Sequence, residues 1–388
     1  MKNKLITLLI VTMSLGIVFT GCGDKKQSPS MNGVSINGVS GNAASFDFSK
    51  PVYDHEYAAS TVLFKVEDID ITVEDYNLYL LQYLFNNSVD ASTINDATKQ
   101  QIMSETIDEL KLENVEYKLA MVTDGVNITE EDKAASAEIA DRFINYFGED
   151  FLNYYGISTD KVQEMFIKQA YIERLKQKTI LDFTEDYKEQ FEKDYKDVSF
   201  YSVYYVLFPA IKYNESKLPI AGEDGTPLRL TDEERAEQLV SVEEMRAKIL
   251  ENIDNGIEGG DMENLAIEYG VDFASGVEHG YTGAYTEEIN EAVDGLENGE
   301  ISEIIDTEAG YMIARMDNNN DEEFRAYTID YMATQSANTM YPTVQENWMS
   351  ASGIGNLAVD TSVLADVPVE SMAQVMNIMG YSMTGGTN

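Results

Sequence analysis

A block of ten uncharged residues, Ser199 to Phe208, interrupts a chain whose apolar residues otherwise recur mostly at helical spacing. Its aromatic and β-branched side chains favour a β-strand, and Pro209 closes the run. Helix-like segments follow, and a second strand-like run from Gly310 to Met316 ends the region. The order strand, helices, strand with short connections predicts a small α+β domain over residues 198–318.

Residues 61–197 have the pattern of a helical domain that begins with a short β-like run, Thr61 to Val66. Thr72 and Thr129 each precede acidic residues at the positions expected of helix N-caps. Gly148 is placed to end a helix. The sequence predicts five helices, which begin after Thr72, near Lys99, at Thr129, after Ser158 and at Thr184.

The chain beyond the α+β domain contains one more helical pattern, residues 319–350. We expect this helix to return and pack on the helical domain, because the α+β domain lies between the two in sequence. Residues 351–388 are weakly patterned and are predicted to be a low-order tail. The equal alternative is one apolar face formed by Met372, Met376 and Met379. The predicted class is therefore α+β, with a helical domain and an inserted small domain.

Two segments of the predicted α+β domain have few apolar residues. Residues 210–230 form a polar insertion that contains glycine and proline. A glycine-rich segment carries Gly276, Gly280 and Gly283, and His279 is interpreted as a surface loop residue within it.

Composition excludes several classes of protein. Cys22 is the only cysteine, and His55 and His279 are the only histidines, so thiol catalysis and Cys- or His-based metal sites are not expected. The G-x-S-x-G motif of many serine hydrolases is absent from the sequence. The net charge of −42 repels phosphate backbones and excludes nucleic acid as a partner. No cofactor and no metal ion are expected.

The first 22 residues have the organisation of an export signal. Lys2 and Lys4 precede an apolar run from Leu5 to Phe19, which is short for a membrane-spanning helix. The stretch from Phe19 to Cys22 resembles the lipobox of bacterial lipoproteins. The resemblance implies a signal peptide over residues 1–21 and a lipid on Cys22 that anchors the chain at the extracytoplasmic face of the cell membrane. The alternative is an ordinary secretory signal with a stray cysteine.

Residues 22–60 are rich in serine, glycine and asparagine and are interpreted as a flexible tether. The alternative is a partly ordered arm that docks through its apolar side chains, which are Phe46, Phe48, Val52 and Tyr53.

Two groups of motifs resemble known families. The run from Leu296 to Ser302, followed by Gly310-Tyr311, is similar to the motifs of parvulin-type (PpiC-like) peptidyl-prolyl isomerase domains. The turn from Gly125 to Glu131 resembles one in the helical domain of PrsA/SurA-type extracytoplasmic foldases. Together with the lipobox-like stretch, the layout implies a foldase or chaperone that acts on unfolded exported polypeptides.

The parvulin resemblance also implies site residues. Tyr205 and Met312 stand where the family has two histidines, Asp272 matches the central acid, and Thr307 stands at a common Ser/Thr position. Asp272, Tyr205 and Thr307 are therefore the candidate catalytic residues. The candidate substrate-binding residues are Tyr285, Ile289 and Met312.

The loss of both histidines at these positions implies reduced or absent isomerase activity. The alternative function is a non-catalytic holdase that uses the parvulin fold as a peptide-binding module. A solute-binding lipoprotein is disfavoured, because that class shows repeated β-α units. The oligomeric state stays open, with a dimer as one alternative.

Overall fold

The structure, a computed structural model, describes residues 59–357, 359, 361–364, 367 and 369–379. The predicted signal peptide, Cys22 and all of the predicted tether except its last two residues lie outside the described residues. The chain divides into two compact units. The first unit extends to Phe183 and resumes at Ala337, and the second comprises Thr184–Ser336.

The first unit is helical, with one β-hairpin at its start. The strands β1 and β2 pair antiparallel, and the hairpin leads directly into the first helix. Its elements are β1 (Val62–Val66), β2 (Ile69–Thr72), α1 (Val73–Asn86), α2 (Asp96–Val122), α3 (Glu130–Phe147), α4 (Glu149–Tyr154), the greater part of α5 (Thr159–Asp194), the second half of α9 (Glu322–Ser352) and α10 (Val369–Met379).

The predicted N-caps of α1 and α3 are capping boxes. Thr72 accepts a hydrogen bond from the backbone N–H of Asp75, and the Asp75 carboxylate accepts one from the N–H of Thr72. Thr129 and Asp132 make the same reciprocal pair. Each box satisfies N–H groups that the first turn of a helix leaves unpaired.

The core of this unit is aromatic and aliphatic, with fully buried rings from α1, α3, α4 and α5. The second half of α9 lies against this unit: Trp348 packs on the core, and the Tyr341 hydroxyl donates to Glu116 over 2.8 Å. α10 contributes Met372 and Met376, both at most 3% exposed. Of the two alternatives for the tail, the apolar face is therefore the one that the described residues form, whereas the side chain of Met379 is not described.

One prediction for this unit is wrong. The sequence predicted separate helices after Ser158 and at Thr184, but α5 is a single helix from Thr159 to Asp194. The segment contains neither glycine nor proline, so nothing breaks its backbone hydrogen bonds. Thr184 resembles a cap in sequence, but a helix interior tolerates it.

The second unit contains β3 (Phe200–Pro209), α6 (Asp232–Asp254), α7 (Met262–Glu268), β4 (Ser275–Tyr281), α8 (Glu287–Val293), β5 (Ile305–Thr307) and β6 (Gly310–Asn318), with residues 184–194 of α5 before them and the first half of α9 after them. Its four strands form an antiparallel sheet in the order β4-β3-β6-β5. One face of the sheet carries Val206, Phe208 and Ile313 and is covered by α6 and α7. The other face carries Val203, Ala314 and Met316, and Val293 of α8 lies in their cluster. The predicted α+β class, a helical domain with an inserted α+β unit, is confirmed.

The prediction that His279 lies in a loop is wrong. Gly276 and Gly280 lie in β4, in which His279 pairs with Ser202 of β3, whereas Gly283 follows the strand in a turn. Glycine is required at 280, because a Cβ there would lie 2.5 Å from the Tyr285 ring and 3.0 Å from that of Tyr201. Gly280 therefore lets β4 run close beneath two aromatic rings.

The polar insertion at residues 210–230 is ordered by isolated antiparallel bridges, which join Ile211 to Arg229, Tyr213 to Pro219 and Ala221 to Pro227. No helix among the described residues combines the length and the apolar character that crossing a bilayer requires.

Candidate active site

Tyr205 and Met312 lie on the same face of the inserted sheet. In the register of β3 and β6, Tyr205 is opposite Ala314 and Leu207 is opposite Met312. Side chains two apart along a strand, and those directly opposite on an antiparallel neighbour, share a face. The structure therefore brings together the two residues that stand at the histidine positions of the parvulin resemblance. Both are partly buried.

Tyr285 forms a wall beside this face. Its ring lies against Gly280 of β4, and its hydroxyl is 2.9 Å from a Glu278 carboxylate oxygen and 3.0 Å from the backbone carbonyl oxygen of His279. Burial and then the neighbouring Glu278 carboxylate raise the pKa of Tyr285 well above its ordinary value. The hydroxyl therefore stays protonated and is held by acceptors on β4.

Tyr201 was missed by the sequence analysis. In the register of β3 and β4 it lies on the same face as Tyr205, and burial, helped by the charge of Asp294, raises the pKa of Tyr201 to about 12. Within the described part of the chain, its buried hydroxyl oxygen has no hydrogen-bond partner. The alternation of Tyr201, Val203 and Tyr205 along the strand is the signal that could have identified it.

Asp272 lies in a short 3₁₀ segment, Asp272–Ala274, that precedes β4. It is exposed, and its backbone carbonyl accepts a hydrogen bond from the Ser275 hydroxyl over 3.0 Å. The Ser275 oxygen in turn accepts from the Tyr204 hydroxyl over 3.1 Å. Because Tyr204 alternates with Tyr205 along β3, these contacts tie Asp272 to a residue of the opposite face.

The Thr307 hydroxyl belongs to the turn between β5 and β6. It donates to the Gly310 carbonyl over 2.8 Å and accepts from the N–H groups of Ala309 and Gly310, each over 3.2 Å. A hydroxyl engaged in this way shapes the turn. Ile289 is partly buried on α8, the helix that also supplies Val293 to this side of the sheet.

His279 is on the face opposite Tyr205, because it pairs with Ser202. Its Nδ1 is 2.9 Å from an Asp321 carboxylate oxygen, and its ring centroid lies 5.1 Å from that of Phe324. The other Asp321 oxygen accepts from the N–H of Phe324 at the start of α9. The histidine of β4 is therefore part of the junction with α9, and it does not join the pair formed by Tyr205 and Met312.

The greater part of the inserted domain is similar to a known family. Residues 228–318 match the rotamase family, PPIC-type PPIASE domain. The predicted resemblance to parvulin-type domains is thereby confirmed over this range. Met312, Tyr285 and Ile289 fall within the matched residues, together with Asp272 and Thr307, whereas β3 with Tyr205 precedes them.

Several solved foldase structures are similar to the chain. The foldase protein PrsA of Lactococcus lactis is 12% identical, covers 83% of this chain over 100% of its own, and has a TM-score of 0.38. The peptidylprolyl isomerase PrsA of Bacillus cereus is 14% identical, with coverage of 82% and 99% and a TM-score of 0.26. The foldase protein PrsA of Streptococcus pneumoniae is 12% identical, with coverage of 80% and 99% and a TM-score of 0.30. The comparison with curated proteins gives no match.

Proposed function

We propose that the chain is an extracytoplasmic foldase that binds unfolded exported polypeptides and has weak peptidyl-prolyl isomerase activity. The PPIC-type match over residues 228–318 supports the class of activity. One observation carries the proposal of weak activity: Tyr205 and Met312, at the two positions where the parvulin resemblance expects histidines, share one face of the sheet.

The chemistry of isomerisation explains the expected weakness. Rotation about an X–Pro bond breaks no covalent bond, and its barrier of about 20 kcal/mol is lowered by holding the amide in a twisted form. The hydroxyl of Tyr205 is a hydrogen-bond donor and acceptor, whereas the thioether of Met312 is only a weak acceptor. Each tenfold acceleration needs about 1.4 kcal/mol of preferential stabilisation of the twisted amide, and this face offers few polar groups for it. Its tyrosine and methionine side chains favour adaptable apolar contact with a bound chain.

A protease-coupled assay with a proline peptide, combined with an aggregation assay on an unfolded client, tests the proposal. We expect turnover only a few-fold above the uncatalysed rate, lowered to that rate in Tyr205→Phe and unchanged in Tyr204→Phe, the matched control on the opposite face. Aggregation should be suppressed by all three proteins. Suppression with no turnover at all would favour the holdase alternative. Fast turnover would contradict weak catalysis, and absence of both activities would overturn the proposed function.

We also propose that a lipid on Cys22 anchors the protein at the extracytoplasmic face of the membrane. The lipobox-like stretch from Phe19 to Cys22 supports the anchor, and two acyl chains suffice for stable attachment where one does not.

Cys22→Ala should therefore move the protein from the membrane fraction into the medium, because the remaining chain is strongly acidic and is repelled by anionic lipid. Fractionation of cells that express the full chain measures the change. Ser28→Ala, in the same segment, is the matched control and should remain in the membrane fraction. Persistent attachment of the Cys22→Ala protein would overturn the assignment.

A further inference from the structure

The helical unit contains an open cavity of about 550 Å³ lined by α2, α3, α5 and the second half of α9. A volume of this size is in the range that binds small ligands and single side chains. Its walls are partly apolar, with Ile139 of α3, Phe166 and Ile172 of α5, and Pro342 of α9. It lies wholly within one unit and shares no residue with the tyrosine-lined face of the inserted sheet.

Two acceptor atoms of the cavity residues lack donors. Oε1 of Glu113 and Oε1 of Gln169 are both buried, and neither has a hydrogen-bond partner among the described residues. Buried polar atoms are nearly always paired, so each unpaired acceptor calls for an explanation. The neighbouring Glu116 shows the contrast, because one of its oxygens accepts from the Tyr341 hydroxyl and from the Gln345 amide, both over 2.8 Å.

The cavity is rich in carboxyl groups. Among its described lining residues, five are carboxylates and one, Lys176, is a cation, whose ammonium lies 5.6 Å from the centroid of the Tyr341 ring. The cations next to the lining residues are engaged with other partners. Lys168 is 3.2 Å from Glu164, and Nη2 of Arg174 donates to both carboxylate oxygens of Asp132, over 2.7 and 2.8 Å.

We propose that this cavity binds the cationic side chain of an arginine or lysine in a client polypeptide. The guanidinium or ammonium group donates to Oε1 of Glu113 and Oε1 of Gln169, the two acceptors that lack a donor. The aliphatic stem lies along the apolar wall formed by Ile139 and Phe166. The inference rests on the proposed function, since it takes the ligand to be part of an unfolded polypeptide.

The net charge of −42 supports this choice of ligand, because the field of the chain attracts basic segments and raises their rate of encounter. A neutral side chain such as asparagine could donate to both acceptors, but it would bring no counter-charge to the ionised carboxylates. An arginine has five N–H donors in a planar fork, and a lysine has three, so either can reach two acceptors simultaneously.

Ionisation of Glu113 couples this binding to pH. Burial raises the pKa of Glu113 to about 8, although Lys168 and Gln169 act in the opposite direction. A bound cation favours the ionised carboxylate, so binding releases a proton and strengthens as the pH rises through 8. The charged and titratable groups around Glu113 or lining the same cavity are Asp75 on α1, Glu109 and Glu116 on α2, Asp132 on α3, Lys168, Glu173 and Lys176 on α5, and Tyr341 on α9.

Calorimetric titration of the full chain with two matched peptides tests the inference. One unstructured apolar peptide contains a single arginine, and the other contains citrulline, its neutral isostere, at the same place. We expect the arginine peptide to bind at least tenfold more tightly at pH 9, and its advantage to shrink at pH 6. Heats measured in two buffers of different ionisation enthalpy should show proton release near pH 7.5.

Variants locate the site. Glu113→Gln should abolish the preference for arginine, whereas Glu138→Gln, the same change at an exposed position on α3, should retain it. Equal affinity for the two peptides, or a preference that survives Glu113→Gln, overturns the inference. If the peptides bind equally and aggregation of clients is still suppressed, the cavity assignment fails while the proposed function stands. If neither peptide binds and no client is protected, the proposed function fails as well.

Discussion

Gly310→Ala is expected to lower the free energy of unfolding of the inserted domain by about 2–6 kcal/mol, through backbone strain and a steric clash. Gly310 is buried at the start of β6 with φ of +144°, a conformation that residues with a Cβ rarely adopt. A Cβ at this position would also lie 2.9 Å from the carbonyl carbon of Phe208 and from Cα of Pro209. Relieving this clash would require β3 and β6 to move apart at the end where Pro209 pairs with Gly310.

Hydrogen exchange of the β3 and β6 amides measures this effect for the domain itself, since a chain of two units need not unfold in one step. Gly276→Ala is the matched control, because a Cβ there meets no atom within 4 Å. The Gly276→Ala variant should change the free energy of opening of these amides by no more than about 0.5 kcal/mol. Equal protection in the two variants would contradict the close approach at Gly310. The glycine of the Gly310-Tyr311 motif is then explained by backbone packing, with no role in chemistry.

Glu113→Gln is expected to stabilise the helical unit by about 1–4 kcal/mol at pH 9, and to have little effect near pH 4. The direction of this change in stability follows from the pKa of Glu113. Burial raises the pKa of Glu113 from an ordinary value of 4.5 to about 8, so the folded state holds this proton more tightly than the unfolded state does. The resulting stability is fully present below pH 4.5 and is lost as the pH rises through 8. Glutamine has the same shape and carries no charge at any pH.

Urea unfolding followed by far-ultraviolet circular dichroism at pH 4, 6.5 and 9 measures the difference between the two proteins. Burial also raises the pKa values of Glu109 and Glu116, so both proteins should lose some stability with pH, and the variant should lose less. Glu138→Gln, at an exposed position, should follow the wild-type curve. A parallel pair of curves for the wild type and Glu113→Gln would show that the Glu113 carboxylate is hydrated when folded.

The sequence was most informative where structure depends on local chemistry. The capping boxes at Thr72 and Thr129 were visible because a hydroxyl and a carboxylate three residues apart suffice to form them. The strand β3 was visible from its composition. The common face of Tyr205 and Met312 was implied only through the parvulin resemblance, since the two residues are more than a hundred positions apart.

The features that sequence reasoning missed depend on contacts between distant segments. The glycines of β4 resemble those of a loop in sequence, and only the structure shows that the rings of Tyr201 and Tyr285 lie against Gly280. The cavity could not be foreseen, since its wall joins residues as remote as Glu116 and Tyr341. Thr307 matched a motif position, but its hydroxyl is used by a turn that only the structure reveals.

The position of α10 has a consequence for the order in which the protein can mature. Its buried residues Met372 and Val375 belong to the same core as Tyr76 of α1, although some 300 residues separate them. Chains are made from the amino terminus, so the inserted domain is complete while the helical unit still lacks its last helix. During that interval the nascent protein exposes an unfinished apolar core, and is itself a polypeptide of the kind that chaperones protect.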